Sequence, residues 1–460
     1  MQVVQAFDGA VIGELPVDDA ASLESKLAFA AQTFSNRTGW LPPHARIAIL
    51  KRLARRMEAE SADFALLIAR EGGKPLVDSK VEVARAINGV ESAVGVLENM
   101  AGREVPMGLT PASVGRLACT TREPVGVVVA ISAFNHPLNL IVHQVVPAIA
   151  VGCPVIVKPA HPTPLCCLRF AELVREAGLP EGWCQTLVVE DLSLAEQLAT
   201  DERVAFLSFI GSAKVGWHLR SRVAPGTRIA LEHGGAAPVI VDRTADLQAA
   251  VAALTKGAFY HAGQVCVSVQ RVFVEQSRKD ELVQALVANA AALRIGDPTL
   301  PDTDVGPLIR PTEVDRVEAW VEEAIAGGAR NAQGGKRLGE RLFEPTVLVE
   351  PPAGAAVSTH EIFGPVVCVY GYGDLDEAIA RSNALPYAFQ AAIFTAEIET
   401  AMKAAATLDA STIMVNDHTA FRTDWMPFAG RRQSGYGTGG IPATMQDMTQ
   451  EKMLVLRYGA

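Results

Sequence analysis

The segment Val-Gly-Val-Val-Val-Ala-Ile-Ser-Ala-Phe-Asn-His-Pro-Leu-Asn-Leu (125–140) decides how the rest of this 460-residue chain is read. Its first seven residues are apolar and mostly β-branched with no polar alternation, the pattern of a strand buried on both faces. A helical pattern follows over Leu138–Ala150. Outward from there the same alternation repeats. Further strands are expected at Pro154–Lys158, Thr186–Val189 and Ala205–Ile210, with helices near Pro164–Ala177, Leu194–Thr200 and Lys214–Arg222. Apolar strands alternating with helices predict an α/β architecture with a parallel sheet covered on both sides. A second alternating block runs from about Pro238 to Asn416, beyond the stretch Glu-His-Gly-Gly-Ala-Ala-Pro (232–238). Upstream, Ala45–Met57 and Ala84–Met100 repeat their apolar residues at helical spacing.

Composition excludes several classes. The chain is 49% hydrophobic and 20% charged, as globular proteins are, and its length calls for two or three domains. A net charge of −10 and the lack of a basic cluster argue against a nucleic-acid partner. No apolar run approaches the roughly 20 residues that cross a bilayer. The start, Met-Gln-Val-Val-Gln, has no secretory pattern, so a cytoplasmic location is expected. The seven cysteines are odd in number and form no CxxC pair, which suits neither disulfides nor a metal site.

Two glycine-bearing stretches need context. Gly-Ser-Ala-Lys-Val-Gly (211–216) follows an expected strand and opens a helix, so Ser212 and free helical N–H groups could hold a pyrophosphate. Ser-Gly-Tyr-Gly-Thr-Gly-Gly (434–440) follows a loop and precedes no clear helix; it reads as a turn. The thiol of Gly-Gln-Val-Cys-Val (263–267) suits a nucleophile, with a buried structural cysteine as the competing reading.

Three further motifs decide that choice: Leu-Glu-His-Gly-Gly (231–235), Phe-Asn-His-Pro-Leu (134–138) and Glu-Ile-Phe-Gly-Pro-Val (361–366). With Val-Ile-Val-Lys-Pro-Ala (155–160), Gly211-Ser212, Leu-Pro-Tyr-Ala (385–388) and Pro-Phe-Ala-Gly-Arg-Arg-Gln-Ser-Gly (427–435), the chain from about Pro124 to Lys452 resembles the aldehyde dehydrogenase superfamily. Asn-Asp-His-Thr-Ala-Phe-Arg (416–422) and Pro-Leu-Asn-Leu (137–140) look most like its lactaldehyde dehydrogenase-like branch.

The resemblance implies NAD(P)-dependent oxidation of an aldehyde to a carboxylic acid. Cys266 would be the nucleophile, Glu232 the base that activates water against the thioester, and Asn135 an oxyanion donor beside the Cys266 N–H. It also implies cofactor contacts at Lys158, Gly211, Ser212, Glu361, Phe363, Phe134 and His161. His161 stands where NAD-preferring relatives often carry a ribose-binding glutamate, so both NAD and NADP stay open. Phe134 replaces a common tryptophan and His233 a common leucine.

The implied domains are 1–110 with 125–233 for NAD(P) binding and 234–430 for the nucleophile, with oligomerisation strands in 111–124 and 441–460 building a homodimer or homotetramer. Read as a helix beginning at Asn135, the segment places His136, Asn139 and His143 on one polar face. That suggests a short polar aldehyde, with Arg422 and Arg85 available to a substrate carboxylate. Val265, where phosphate-binding relatives often carry arginine, favours lactaldehyde-like or semialdehyde substrates over glyceraldehyde 3-phosphate. A CoA-acylating semialdehyde dehydrogenase and an inactive binding protein of the same fold are the alternatives; Glu232 counts against the first and the intact Cys266, Glu232 and Asn135 against the second.

Overall fold

The computed structural model describes residues 1–458; Gly459 and Ala460, at the end of the expected terminal segment, lie outside the described residues. Three sheets organise the chain. The first has six strands in the order Gly435–Tyr436, Arg228–Glu232, Val204–Ile210, Val127–Ile131, Val155–Lys158 and Cys184–Thr186. All pairs are parallel except the one made by Gly435–Tyr436. Every residue of Val127–Ile131 is buried, as an unbroken apolar run requires when helices cover both faces. One face packs under Pro43–Ala59, Leu76–Asn99, Asn139–Val151 and Leu165–Glu176, and the other under Ala20–Ser35 and Leu192–Thr200.

The second sheet has seven strands, ordered Arg330–Gln333, Thr346–Val349, Val366–Tyr372, Val269–Glu275, Ala237–Val241, Gln390–Phe394 and Thr412–Val415, with only the first antiparallel. It surrounds a single large apolar core. The third sheet joins Thr449–Arg457, Arg116–Pro124 and Glu104–Val105, all antiparallel. Among the described residues, no helix is long and apolar enough to cross a membrane.

Four local expectations are corrected. The strand expected at Thr186–Val189 is Cys184–Thr186, because the chain leaves the sheet after Leu187: the Val188 N–H donates to the Asp18 carboxylate at 2.8 Å and its carbonyl accepts from the Asp18 N–H at 2.7 Å. The helix read as starting at Asn135 starts at Asn139. Its first free N–H groups, Leu138 and Asn139, donate to Glu82 Oε1 at 3.0 and 3.1 Å, so a carboxylate distant in sequence caps it. Residues 434–440 are more than a turn, since Gly435 and Tyr436 pair with Glu232 and Leu231 and the helix Ile441–Asp447 follows. That helix also occupies the start of the 441–460 segment expected as strand.

Candidate active site

The open ends of the two large sheets face a shared cavity of about 1500 Å³. Asn135 lies four residues past Val127–Ile131, at the carboxyl end of a parallel strand, where open α/β sheets gather ligands. Its side chain is buried and its Nδ2 donates to the Gln264 carbonyl at 2.9 Å, leaving its second N–H uncommitted. Gln264 is itself fixed, its Oε1 accepting from the Ile309 N–H at 2.9 Å. Two residues on, Cys266 sits in the bend between the turn Tyr260–Gly263 and the strand Val269–Glu275, partly accessible from the cavity.

Glu232 ends the strand Arg228–Glu232 and opens onto the same cavity. Burial raises its carboxyl above the usual range, opposed by the Arg422 guanidinium. Burial also pushes the Cys266 thiol up to about 12; Arg422 opposes this, whereas Glu361 and Glu232 add to it. Arg422 therefore acts on both groups. Its guanidinium lies 3.5 Å from the centre of the Phe428 ring, with its Nε buried and unpartnered. Its Nη2 lies 3.4 Å from His143 Nδ1, and no carboxylate bonds the guanidinium, so a cation beside the thiol is left as a site for negative charge, whether a thiolate or an anionic ligand.

Gly439 answers for the room Glu232 needs, since a Cβ there would stand 2.1 Å from Glu232 Oε1. Sequence reasoning passed over it, along with Gln264 and Tyr260. The only available signal was the glycine density of 434–440.

The expected substrate face is redrawn around Asp424, which sequence reasoning also missed. Its carboxylate accepts from Arg85 Nε at 3.2 Å and Nη2 at 2.9 Å, and from Asn139 Nδ2 at 3.0 Å, and it bonds His143 Nε2 at 2.8 Å. The Arg85 fork expected to meet a substrate carboxylate is thus closed on an internal one. His143 lies behind the cavity wall, with burial and Arg422 lowering its pKa to about 4 against the pull of Asp424. Asn139, Arg85 and His136 do line the cavity, and His136 Nε2 is 3.4 Å from the Tyr260 hydroxyl.

The residues expected to hold NAD(P) line the same cavity: Lys158, His161, Gly211, Ser212, Phe134, Glu361 and Phe363. Gly211 and Ser212 close the strand Val204–Ile210 and open the helix Ala213–Arg220, and the Ser212 hydroxyl makes no capping bond. Lys158 Nζ meets only the Pro159 carbonyl, at 3.0 Å. Glu361 keeps a buried, unpartnered Oε1, and burial raises its carboxyl to about 8, opposed by the Gly235 N–H. Phe363 holds φ at +47°, its ring edge-on to Phe134 at 5.8 Å. Free hydroxyl, ammonium and carboxyl groups lining the cavity, together with a helix start, fit a polyhydroxylated diphosphate.

Residues 1–454 match the Aldehyde dehydrogenase family. The 3-sulfolactaldehyde dehydrogenase of Priestia aryabhattai is 36% identical over 456 residues, which cover 99% of this chain and 94% of that protein. The lactaldehyde dehydrogenase of Methanocaldococcus jannaschii is 35% identical, covering 99% and 97%. Among solved structures, aldehyde dehydrogenase 21 from Physcomitrella patens, in complex with the reaction product succinate, superposes with a TM-score of 0.96 at 32% identity, covering 99% of this chain and 95% of that one. This chain therefore belongs to the aldehyde dehydrogenase family and is an NAD(P)-dependent aldehyde dehydrogenase.

Proposed function

We propose that the enzyme oxidises a short, polar, negatively charged aldehyde to its acid, with the nucleotide on the six-stranded sheet and the nucleophile supplied by the seven-stranded one. One observation carries this reading: Cys266, Glu232 and Asn135 face one cavity together with Arg422, a half-buried guanidinium that no carboxylate bonds within hydrogen-bond range.

The Cys266 thiol gives its proton to solvent water, the Arg422 charge favouring the thiolate, and the sulfur attacks the aldehyde carbon. The carbonyl π bond breaks and the oxygen takes the charge, received by the free Asn135 N–H and the Cys266 backbone N–H. Bound NAD(P) would supply the hydride acceptor that turns the Cys266 adduct into a thioester. Glu232 then takes a proton from water, whose oxygen attacks the thioester and releases the acid and the thiol. A carboxyl raised by burial suits that task at neutral pH. Lys158, Ser212 and Glu361 would hold the nucleotide's ribose and phosphate groups. Glu232 disfavours a CoA-acylating enzyme, which needs no base for water.

Arg422 supplies the preference for charge, and His136, Asn139 and Tyr260 give the rest of the wall its polarity. The names of two relatives support a charged substrate: one is named for a sulfonated hydroxyaldehyde and one was solved with the reaction product succinate. The test is kcat/KM for 3-sulfolactaldehyde, lactaldehyde, succinic semialdehyde, hexanal and benzaldehyde with each nucleotide. The charged aldehydes should lead by at least about tenfold, the worth of one charge-assisted pair. A lead by hexanal or benzaldehyde rejects the polar-substrate reading.

A further inference from the structure

His233 directly follows the proposed base, yet that chemistry leaves it no task. The residue is 2% exposed. Nδ1 lies 3.0 Å from the Gly211 carbonyl oxygen. A carbonyl only accepts, so Nδ1 carries the hydrogen and donates. Nε2 is then a bare acceptor, buried and without a partner. The ring sits edge-to-face against Phe209 at 5.9 Å and Trp217 at 5.7 Å. It lies so close to the helix Ala213–Arg220 that a Cβ on Gly216 would stand 2.0 Å from its Cε1. Only glycine at 216 lets a histidine fit there.

The other side of Gly211 is held as well, its N–H donating to the Glu232 carbonyl at 3.1 Å. Consecutive residues, 232 and 233, thus grip both polar groups of the residue that opens the phosphate-facing turn. A leucine at this position would have no donor and would leave the Gly211 carbonyl free to rotate.

We propose that His233 is a positioning residue for nucleotide binding: its Nδ1–H fixes the Gly211 carbonyl, and its ring seats the helix at Gly216, holding Ser212 and the first helical N–H groups toward the cofactor's phosphates. This rests on the reading of 211–216 as the phosphate turn. The donor matters and the ring's charge does not, because burial keeps the imidazole below its ordinary value and therefore neutral.

Four proteins test it by calorimetric titration with NAD and NADP: the parent enzyme, His233→Leu, His233→Asn and Ala213→Asp. Asparagine can place an N–H near Nδ1 and leucine cannot. His233→Leu should weaken nucleotide binding about tenfold, and His233→Asn should recover to within about threefold of the parent. In His233→Leu the change should appear in the KM for nucleotide, with kcat at saturation nearly kept. Cofactor-free hydrolysis of 4-nitrophenyl acetate, which reports on Cys266, serves as a second readout and should fall less than about twofold. Ala213→Asp sets a carboxylate against the phosphates and tests the turn itself. If it leaves binding intact, the phosphate-turn reading fails. If it weakens binding but His233→Leu does not, or if asparagine binds as poorly as leucine, the His233 proposal fails alone. Should His233→Leu not fold, the asparagine variant decides: binding within threefold of the parent supports the donor, and a tenfold loss overturns it.

Discussion

A thiol held near 12 is almost entirely protonated at neutral pH, so Cys266 depends on its neighbours for ionisation. Arg422 supplies the positive charge that favours the thiolate, and Glu232 serves the later attack of water on the thioester. Their separate roles make distinct predictions. Cys266→Ala should abolish aldehyde oxidation. Glu232→Gln should release about one equivalent of NAD(P)H per active site and then stall, because the thioester has lost its water-activating base. Stopped-flow absorbance reads the burst, and full steady-state turnover in Glu232→Gln removes Glu232 from the mechanism. Arg422 acts through charge on both residues. Without the guanidinium, the carboxyl of Glu232 and the thiol of Cys266 should both rise further, since Arg422 opposes each rise. A higher Glu232 pKa means less carboxylate at a given pH, so the rising acidic limb of kcat moves to higher pH, and a higher Cys266 pKa moves it the same way because the thiolate is the attacking form. Arg422→Gln should shift that limb by at least about half a pH unit. A pH–rate profile that stays put, or shifts downward, contradicts the electrostatic role.

At the scale of elements, the base is positioned by a chain segment far from it in sequence. The pair Gly435–Tyr436 extends the sheet beside Leu231 and Glu232, and the following Gly439 leaves space for the carboxylate. A methyl at 439 would press mainly on the end of a flexible side chain, which swings aside cheaply. The cost should therefore fall on kinetics more than on stability. Gly439→Ala is expected to lower kcat by about tenfold or more while keeping the first-turnover burst, with little loss in melting temperature. Loss of the burst itself would point to the nucleophile instead. The same residues show where sequence reading stops. Apolar strands and the helices between them were legible because their patterns are local, and so were the motif residues Cys266, Glu232 and Asn135, which share one cavity. What was misplaced depends on long-range partners. Glu82 caps the helix at Leu138 and Asn139, Asp18 draws Val188 off the sheet, and Asp424 gathers Arg85, Asn139 and His143 from two helices. No local spacing announces such pairings.

The whole molecule leaves one surface unexplained by its own fold. Thr449–Arg457 pairs along its full length with Arg116–Pro124 on one edge, and no described strand pairs with its other edge. Met453, Leu454, Val455 and Leu456 are each between 43% and 55% exposed, Leu454 and Leu456 on one face and Met453 and Val455 on the other, with Leu117 at 44% opposite Leu456. A free edge and exposed apolar side chains together are unstable in water: the edge offers unpaired N–H and C=O groups, and the side chains offer area that burial would stabilise by about 25 cal/mol per Å². A second copy of the chain satisfies both, because a strand edge is self-complementary across a two-fold axis. We therefore expect a homodimer, or a tetramer built from dimers, joined through this strand. Light scattering after gel filtration at micromolar concentration should give twice or four times the 48.8 kDa chain mass. Leu454→Asp combined with Leu456→Asp places charges among these side chains while leaving the pairing with Arg116–Pro124 in place, and should shift the species toward monomer. The active-site cavity lies between the two large sheets and away from this strand, so the dissociated enzyme should keep its thiol chemistry in cofactor-free ester hydrolysis. A monomeric parent enzyme, or a double variant with unchanged mass, would show that the exposed strand serves some end other than self-association.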